Sequence, residues 1–222
     1  MKVRLFSYSK PPEELYVGDN VQELIAYTAR VSNPSNQDNT ETSERLLRYL
    51  IREKHWSPFE MVSACLEVET TRDIARQLLR HRSFSFQEFS QRYADPTKDL
   101  KFQLKDARLQ DTKNRQNSIV VKNAELQLEW LQQQAEAVNA AKKSYSWAIE
   151  NGIAKEQARA VLPEGIMESR LYVNGTMRSW IHYIGLRSGH GTQKEHIQLA
   201  VECAKALEPI FPMIKEFCNE KD

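Results

Sequence analysis

The sequence predicts an α+β fold in which helices dominate and a few strands are present. Two patterns support this prediction. Apolar residues recur at intervals of three and four through most of the chain, whereas one ten-residue stretch alternates between apolar and polar side chains. The 222 residues include only 7 glycines and 8 prolines, which leaves few flexible linkers, so we expect one domain that spans residues 1–222.

Two segments are predicted to be strands. Residues 3–8 form a short run that ends before Pro11 and Pro12. In residues 61–70, every second side chain from Val62 to Val68 is apolar, and the residues between them are mostly polar. Successive side chains of a strand point to opposite faces, so this segment is expected to be half-buried.

The spacing of apolar residues predicts seven helices. In chain order they are expected at residues 21–30, 42–52, 72–82, 127–151, 154–161, 178–187 and 193–207. A polar loop at 33–39 separates the first two, and Thr70 or Thr71 is expected to cap the third. The helix at 127–151 has an apolar face, which we expect to pack against another helix, either inside the domain or across a subunit boundary.

The charge and the cysteines exclude several classes of protein. Lys plus Arg is 31 and Asp plus Glu is 30, so the net charge of +1 argues against a dedicated nucleic-acid or membrane-surface binder. No apolar run reaches the ~18 residues of a membrane span, and we expect no secretory signal. Cys65, Cys203 and Cys218 are odd in number and form no Cys-x-x-Cys pair, which favours neither disulfides nor zinc. We therefore expect a cytoplasmic protein.

Chemistry-bearing residues concentrate in an arginine-rich segment, residues 72–92, which holds five arginines and two acidic residues. Arg72, Arg76 and Arg80 are spaced four apart and repel one another on one side of the predicted helix. Guanidinium groups bind phosphate in bidentate fashion, and hydroxyl, amide and aromatic side chains lie among them. The segment therefore predicts a site for a phosphorylated ring compound.

Two other interpretations of the arginine-rich segment stay open. Arg72 and Arg76 are alternatively solvated, or paired with acids elsewhere in the fold. The whole segment is alternatively a nucleic-acid-binding module in which phenylalanines stack on bases, although the net charge of +1 counts against it. The phenylalanines concerned are Phe84, Phe86 and Phe89.

Four blocks of the sequence resemble the motifs of the flavin-dependent thymidylate synthases. In the family's order they are His55-Trp56-Ser57-Pro58-Phe59-Glu60, Arg80-His81-Arg82 with Ser90 after seven residues, Ala158-Arg159-x-Val161-Leu162-Pro163, and Arg178-Ser179-x5-Gly185-Leu186-Arg187. The resemblance extends over residues 29–195, which is most of the chain.

The resemblance implies a helix-rich single domain with a small, mostly antiparallel sheet. It implies conversion of dUMP to dTMP, with 5,10-methylenetetrahydrofolate as the one-carbon donor and FAD, reduced by NADPH, as the hydride carrier. It further implies a homotetramer whose active sites lie between subunits. A catalytically inactive relative that still binds dUMP is the alternative, but the motif residues are present.

The resemblance also assigns residues to each ligand. The residues expected to bind FAD are Ser57, Arg80, His81, Arg82, Glu88, Gly175, Thr176, Met177, Arg178 and His182, with His55 near the flavin or the folate. The residues expected to bind dUMP are Gln77, Leu78, Leu79, Arg80, Glu88, Phe89, Ser90, Gln91, Arg92, Arg159 and Arg187. Arg187 matches the arginine that lies against the uracil and promotes its ionisation at N3, so it is the expected catalytic residue.

The residues present are consistent with that chemistry. A guanidinium against the pyrimidine stabilises the negative charge that develops as N3 loses its proton, which enriches carbon 5 in electrons. None of the three cysteines has the basic neighbours that lower a thiol pKa, so no cysteine nucleophile is expected. Ser90 has no base beside it, so it is expected to bind substrate rather than to attack it.

Several positions do not follow the family pattern or stay open. His55 is alternatively a structural hydrogen-bonding residue. Gly191 stands where many members have a histidine, with His190 one step early, and Thr176 stands where some have asparagine. Residues 100–121 match no motif.

No metal site is expected. His190 and His196 do not have metal-ligand spacing with His182.

Overall fold

A four-stranded antiparallel sheet organises the fold. The computed structural model describes residues 1–15 and 17–219. The strands in those residues are β1 (Lys2–Tyr8), β2 (Ser63–Thr71), β3 (Ser85–Glu88), β4 (Arg108–Gln110), β5 (Ser118–Val120) and β6 (Glu168–Thr176). The sheet has the order β1–β2–β6–β3, and β4 pairs with β5 in a separate hairpin. The strands predicted at 3–8 and 61–70 are confirmed.

The chain is rich in helices, and several of them pack directly on the sheet. Those found in the described residues are α1 (Val21–Ala29), α2 (Ser43–Arg52), α3 (Arg72–Leu78), α4 (Pro96–Asp99), α5 (Ala124–Glu150), α6 (Lys155–Ala158), α7 (Met177–Arg187) and α8 (Lys194–Leu207). Short 3₁₀ turns lie at Pro34–Asn36, Ser57–Glu60, Arg159–Val161 and Pro212–Phe217. The predicted α+β class, with helices around a small antiparallel sheet, is confirmed.

The pairing of β2 with β6 determines where the helices that follow these two strands begin. The two strands run opposite each other for nine residues, from Ser63 beside Thr176 to Thr71 beside Glu168. Leu66 of β2 and Val173 of β6 are fully buried beneath the helices, as the alternation of β2 predicts. Because α3 follows β2 directly and α7 follows β6, the pairing places these two helices at opposite ends of the same strand pair.

The predicted helix at 72–82 is too long, since α3 ends at Leu78. After it the backbone makes tight turns, in which His81 N–H donates to the Leu78 carbonyl over 3.0 Å and Phe84 N–H donates to the His81 carbonyl over 3.2 Å. These turns carry Phe84 into the core, where only 7% of its surface is exposed. Thr71 is the residue before the helix, as expected, but its hydroxyl donates to the Asp73 carboxylate instead of accepting from the backbone.

The long helix α5 packs inside the chain, which supports one of its two expected roles. Its buried side chains include Tyr145 and Ala148, which lie against Ala158 and Met167 in a second small core. The opposite side of α5 leaves Trp147 59% exposed.

Residues 100–121, which match no motif, contain the β4–β5 hairpin. The Asp111 carboxylate orders its turn by accepting from the backbone N–H groups of Lys113 and Asn114, over 2.8 and 3.1 Å. Arg108 fixes the hairpin to the first turn of α8 through an ion pair with Glu195, over 2.8 Å. Among the helices described above, none is both long and apolar enough to cross a membrane.

Candidate active site

The junction between β6 and α7 lies against the turn that follows α3. The Thr176 hydroxyl caps α7 by accepting from the Ser179 N–H over 3.3 Å, which satisfies a donor that the helix itself leaves unpaired. The Ser179 hydroxyl in turn donates to the Ser83 carbonyl over 3.3 Å. Two of the sequence blocks expected to bind flavin, which lie about a hundred residues apart in the chain, therefore meet at this point.

Gly175 is required at this junction. A Cβ on Gly175 would lie 2.3 Å from Cδ1 of Phe84, which is far inside van der Waals contact. The Phe84 ring packs on Trp180, with ring centroids 4.5 Å apart, and is held there by the core. Because Phe84 is buried, it is not available to stack on a base, which counts against the nucleic-acid alternative.

Arg187, the last residue of α7, is paired with a neutral partner. Its Nε–H donates to Nε2 of His81 over 2.9 Å. Burial, and then the charge of Arg187, lower the pKa of His81 to about 4, so the ring is neutral at pH 7 with its proton on Nδ1. Within residues 1–15 and 17–219, Arg187 has no carboxylate partner, so its positive charge is not neutralised.

The arginines of the arginine-rich segment divide into two kinds. Arg72 is 7% exposed and lies 3.4 Å from both Glu88 and Glu164, while Arg76 forms an ion pair with Glu164 over 2.7 Å. Their alternative role, pairing with acids elsewhere in the fold, is confirmed. Arg80 and Arg82 are exposed, and neither has an ion-pair partner in the part of the chain that the structure describes.

One carboxylate oxygen of Glu88 is hydrogen-bonded within the chain. Its Oε1 accepts from the Ser169 hydroxyl over 2.7 Å and from Arg72 over 3.4 Å. The half-buried carboxylate therefore keeps Oε2 for a further contact.

A second group of expected site residues surrounds Glu156. Nε of Arg92 lies 3.4 Å from its carboxylate, and Nε of Arg159 donates to its carbonyl over 3.3 Å. Ser90 Oγ accepts from the Arg92 N–H over 3.4 Å. Gln91 is buried and donates to the Met167 sulfur over 3.1 Å.

A third group lies at the start of α7. Arg178 forms an ion pair with Glu60, and the rings of Trp56 and His182 are 4.5 Å apart. Burial, and then the charge of Arg178, lower the pKa of His182. Ser57 is exposed on the adjoining 3₁₀ turn.

His55 lies at the edge of this group. It is exposed, and its ring approaches that of Tyr49 edge-on, with centroids 6.3 Å apart.

The expected site residues therefore form three groups on one chain: His81 with Arg187, Arg92 with Arg159 at Glu156, and Arg178 with His182 at the start of α7. Leu78 and Met177 are fully buried, so only their backbone groups are available to a ligand, whereas Leu79 and Phe89 are half-buried. Arg159 contacts the Glu156 carbonyl, whereas Arg187 contacts His81.

Sequence reasoning missed the residues that hold Gln77. Its amide contacts His196 over 3.1 Å and Gln193 over 2.8 Å, and His196 also contacts Tyr183 over 3.2 Å. Both His196 and Tyr183 are polar residues at core-facing helix positions. A polar residue at such a position needs a buried hydrogen-bond partner, and this was the sequence signal that could have indicated the contact.

Two of the three cysteines, Cys65 and Cys203, lie in environments that oppose thiolate formation. Burial raises the pKa of Cys65 and, more strongly, that of fully buried Cys203. No group of three or more His, Cys, Asp or Glu side chains in residues 1–15 and 17–219 is arranged to hold a metal ion.

Comparison with known proteins identifies the family. Residues 15–213 match the family model described as thymidylate synthase complementing protein. The chain is 48% identical over 215 residues to a probable flavin-dependent thymidylate synthase of Paramecium bursaria Chlorella virus 1, covering 96% of this chain and 97% of that protein. It is 46% identical over 216 residues to the flavin-dependent thymidylate synthase of Synechocystis sp., with 96% and 97% covered.

A solved structure agrees with the sequence comparisons. The UMP/dUMP methylase PolB of Streptomyces cacaoi, bound with 5-Br dUMP, superposes with a TM-score of 0.80 at 25% identity, covering 97% of this chain and 93% of that one. The chain belongs to the flavin-dependent thymidylate synthase family.

Proposed function

We propose that this chain converts dUMP to dTMP, with FAD as the hydride carrier, NADPH as the reductant and 5,10-methylenetetrahydrofolate as the one-carbon donor. Family membership supports the reaction. The structural observation that carries the proposal is the pairing of Arg187 with neutral His81, whose sequence neighbours Arg80 and Arg82 have no ion-pair partner among the described residues.

Arg187 acts on the uracil ring. As N3 loses its proton, a guanidinium beside the ring stabilises the negative charge, and carbon 5 becomes a better nucleophile. A carboxylate partner would cancel the charge of Arg187, whereas the neutral ring of His81 orients the guanidinium and leaves its charge intact. The raised pKa values of Cys65 and Cys203 are consistent with a reaction that needs no thiolate.

The residues present fit a flavin dinucleotide. The guanidinium groups of Arg80 and Arg82 are exposed and have no acidic partner in residues 1–15 and 17–219, which suits a pyrophosphate, since arginine binds phosphate oxygens in bidentate fashion. Bound FAD supplies the redox chemistry, and the protein supplies orientation and fixed charge. The other residues we propose to hold it are Ser57, His81, Glu88, Gly175, Thr176, Met177, Arg178 and His182, with His55 nearby.

The same surface accommodates dUMP. Arg92 and Arg159 both lie at Glu156, and the 3.4 Å ion pair of Arg92 is long and exposed, so a phosphate competes with it readily. We assign the phosphate to these arginines and to Arg80. The remaining contacts are assigned to Gln77, Leu78, Leu79, Glu88, Phe89, Ser90, Gln91 and Arg187.

The distribution of the site residues supports a homotetramer with active sites between subunits. Arg159 contacts Glu156 and Arg187 contacts His81, with different elements of the chain around each, and two subunits that face each other would complete one site from both groups. We also propose that residues 1–222 form one domain, since the family match spans residues 15–213, and that the protein is cytoplasmic.

An assay of the purified protein tests the proposal. The protein is expected to be yellow, to oxidise NADPH faster when dUMP is added, and to form dTMP when methylenetetrahydrofolate is also present. UMP is the comparison substrate, since the Streptomyces relative is described as a UMP/dUMP methylase. Flavin-loaded protein that forms no dTMP under these conditions contradicts the proposal.

A further inference from the structure

An unbroken row of polar side chains connects the start of α8 with the middle of α7. Its links are Arg108 to Glu195 at 2.8 Å, Glu195 to Gln193 at 2.9 Å, Gln193 to Gln77 at 2.8 Å, Gln77 to His196 at 3.1 Å, and His196 to Tyr183 at 3.2 Å. We call these six side chains the Gln77 relay. Of them, Gln77 alone is assigned to substrate.

The charged end of the relay fixes the orientation of both amides. Burial is the largest single effect on Glu195 and opposes its ionisation, but the hydrogen bonds from Arg108, from the backbone and from Gln193, with the charge of Arg108, together outweigh burial and lower the pKa of Glu195. An ionised carboxylate only accepts hydrogen bonds, so Gln193 must turn its NH₂ group toward Glu195. Its carbonyl oxygen then faces Gln77, which must donate to it with its own NH₂ group.

The His196 imidazole also has a defined donor and a defined acceptor nitrogen in this row. Since Oε1 of Gln77 faces His196, the proton of His196 must lie on Nδ1, and Nε2 is left as an acceptor. The Tyr183 hydroxyl donates to that nitrogen. Tyr183 is buried, and burial raises its pKa, so this donor keeps its proton.

The surroundings keep His196 neutral. Its side chain is fully buried, and the charged or titratable groups that face it are Arg187 and Tyr183 from α7 and His81 from the turn after α3. Burial, then Arg187 and then His81, lower the pKa of His196 to about 3. A protonated His196 ring would donate from both nitrogens, so its contact with Gln77 would stay the same. Its positive charge, however, would be repelled by that of Arg187 in the core, which disfavours protonation.

We propose that His196 is a positioning residue, which together with Gln193 holds the Gln77 amide in a single orientation toward dUMP, through its Nδ1–H. With both inner contacts made, the Gln77 amide has one N–H and one lone pair left for a ligand, in a fixed direction. This inference rests on the proposed binding of dUMP by Gln77. It adds the reason why that amide does not rotate by 180°, which would exchange the positions of its NH₂ group and its carbonyl oxygen.

Substitution of His196 tests the relay. His196→Leu removes both hydrogen bonds of the ring, and we expect it to weaken dUMP binding about tenfold with little change in kcat, because the Gln77 amide is then held only by its contact with Gln193. His196→Asn places an amide N–H where Nδ1 lies, so it is expected to keep most of the dUMP affinity. Leu199→Ala, at another fully buried position of α8, controls for lost packing and is expected to leave the KM for dUMP unchanged.

A double-mutant cycle shows whether His196 acts through Gln77. Gln77→Ala is expected to weaken dUMP binding, and His196→Leu is expected to add nothing to it. Additive effects, or wild-type affinity in His196→Leu, would overturn the relay. If Gln77→Ala binds dUMP as tightly as the wild type while dTMP still forms, the substrate assignment of Gln77 is wrong and the inference falls with it.

The tautomer gives a readout that does not depend on the reaction. NMR of protein with ¹⁵N-labelled histidine is expected to show His196 protonated on Nδ1 at pH 7. A proton on Nε2 would overturn the relay even if dTMP is formed. An Nδ1 proton in a protein that makes no dTMP would support the relay and contradict the proposed function instead.

Discussion

The Nε–H of Arg187 donates to Nε2 of His81 over 2.9 Å, across 106 positions of the sequence. Both side chains are half-buried, and the cation has a neutral partner where a carboxylate is usual. The hydrogen bond fixes the direction of the guanidinium without neutralising it. A positive charge with fixed direction and no counter-ion is what an ionising uracil requires.

Removal of that charge is the first prediction. Arg187→Ala is expected to keep its flavin but to lose about 100-fold in kcat, because the ionised uracil loses its stabilising donor. Arg187→Lys keeps the charge without the Nε–H and is expected to retain more activity. Visible absorption reports the flavin, and dTMP formation reports turnover. Undiminished turnover in Arg187→Ala would count against the assignment.

Arg80 is assigned to both FAD and dUMP. Arg80→Ala is therefore expected to weaken each ligand about tenfold, as the loss of one charge-assisted hydrogen bond would. Arg76→Ala is the matched control, because Arg76 lies four residues earlier, pairs with Glu164 and is assigned to neither ligand. Titration of each variant with FAD and with dUMP separates the effects. Loss of only one ligand in Arg80→Ala would contradict the shared contact.

Activity is expected to survive loss of all three thiols. The variant with Cys65→Ser, Cys203→Ala and Cys218→Ser is expected to form dTMP at a rate near that of the wild type. Buried Cys203 leaves a small cavity, so the free energy of unfolding is expected to fall by about 1 kcal/mol. A folded Cys65→Ser variant without turnover would indicate a thiol nucleophile after all.

Local pattern was enough to predict β2, because its apolar residues alternate without interruption from Val62 to Val68. β6 has the same alternation, but small or polar residues, Ser169 and Gly175, occupy two of its inward positions and weaken the signal. The end of α3 was mispredicted for a different reason. The chain turns away at Leu78 because Phe84 must reach the core, and that constraint comes from Trp180, far away in the sequence.

The motifs predicted site residues individually but not their partners. Arg187 and His81 were both expected in the site, yet their hydrogen bond depends on how α7 packs beside the turn after α3. His196 was considered only as a possible metal ligand. Nothing in α8 indicates that its partner is Gln77, 119 positions earlier.

Gly175 provides a test of the junction between β6 and α7. Gly175→Ala places a methyl group 2.3 Å from the Phe84 ring, so we expect a loss of about 1–3 kcal/mol in the free energy of unfolding and weaker flavin binding. Gly165→Ala is the control, because a Cβ there meets nothing within 4 Å. Urea unfolding and flavin titration measure the two effects. Equal stability of the two variants would show that the junction is loosely packed.

Acid stability provides a test of the imidazoles of His81 and His196. Burial first, and the charge of Arg187 second, lower the pKa of His196 to about 3 and that of His81 to about 4, from 6.5 in the unfolded chain. Between pH 6.5 and those values the unfolded state binds more protons than the folded state does. The free energy of unfolding therefore falls as the pH is lowered through this window, and the slope from these two histidines fades as the pH rises beyond 6.5, where the unfolded chain also loses its protons.

The contribution of His196 is separable, because His196→Asn keeps the contact with Gln77 but does not titrate. Below pH 6, the free energy of unfolding of the wild type is expected to fall more steeply than that of the variant, by up to ~1.4 kcal/mol per pH unit. Urea unfolding of both proteins at pH 7, 6 and 5 measures the two slopes. The carboxylates are the same in both proteins, so their contribution cancels in the difference between the slopes. Parallel slopes would mean that the folded protein accepts a proton on His196 as readily as the unfolded chain does, which a neutral, fully buried imidazole does not allow.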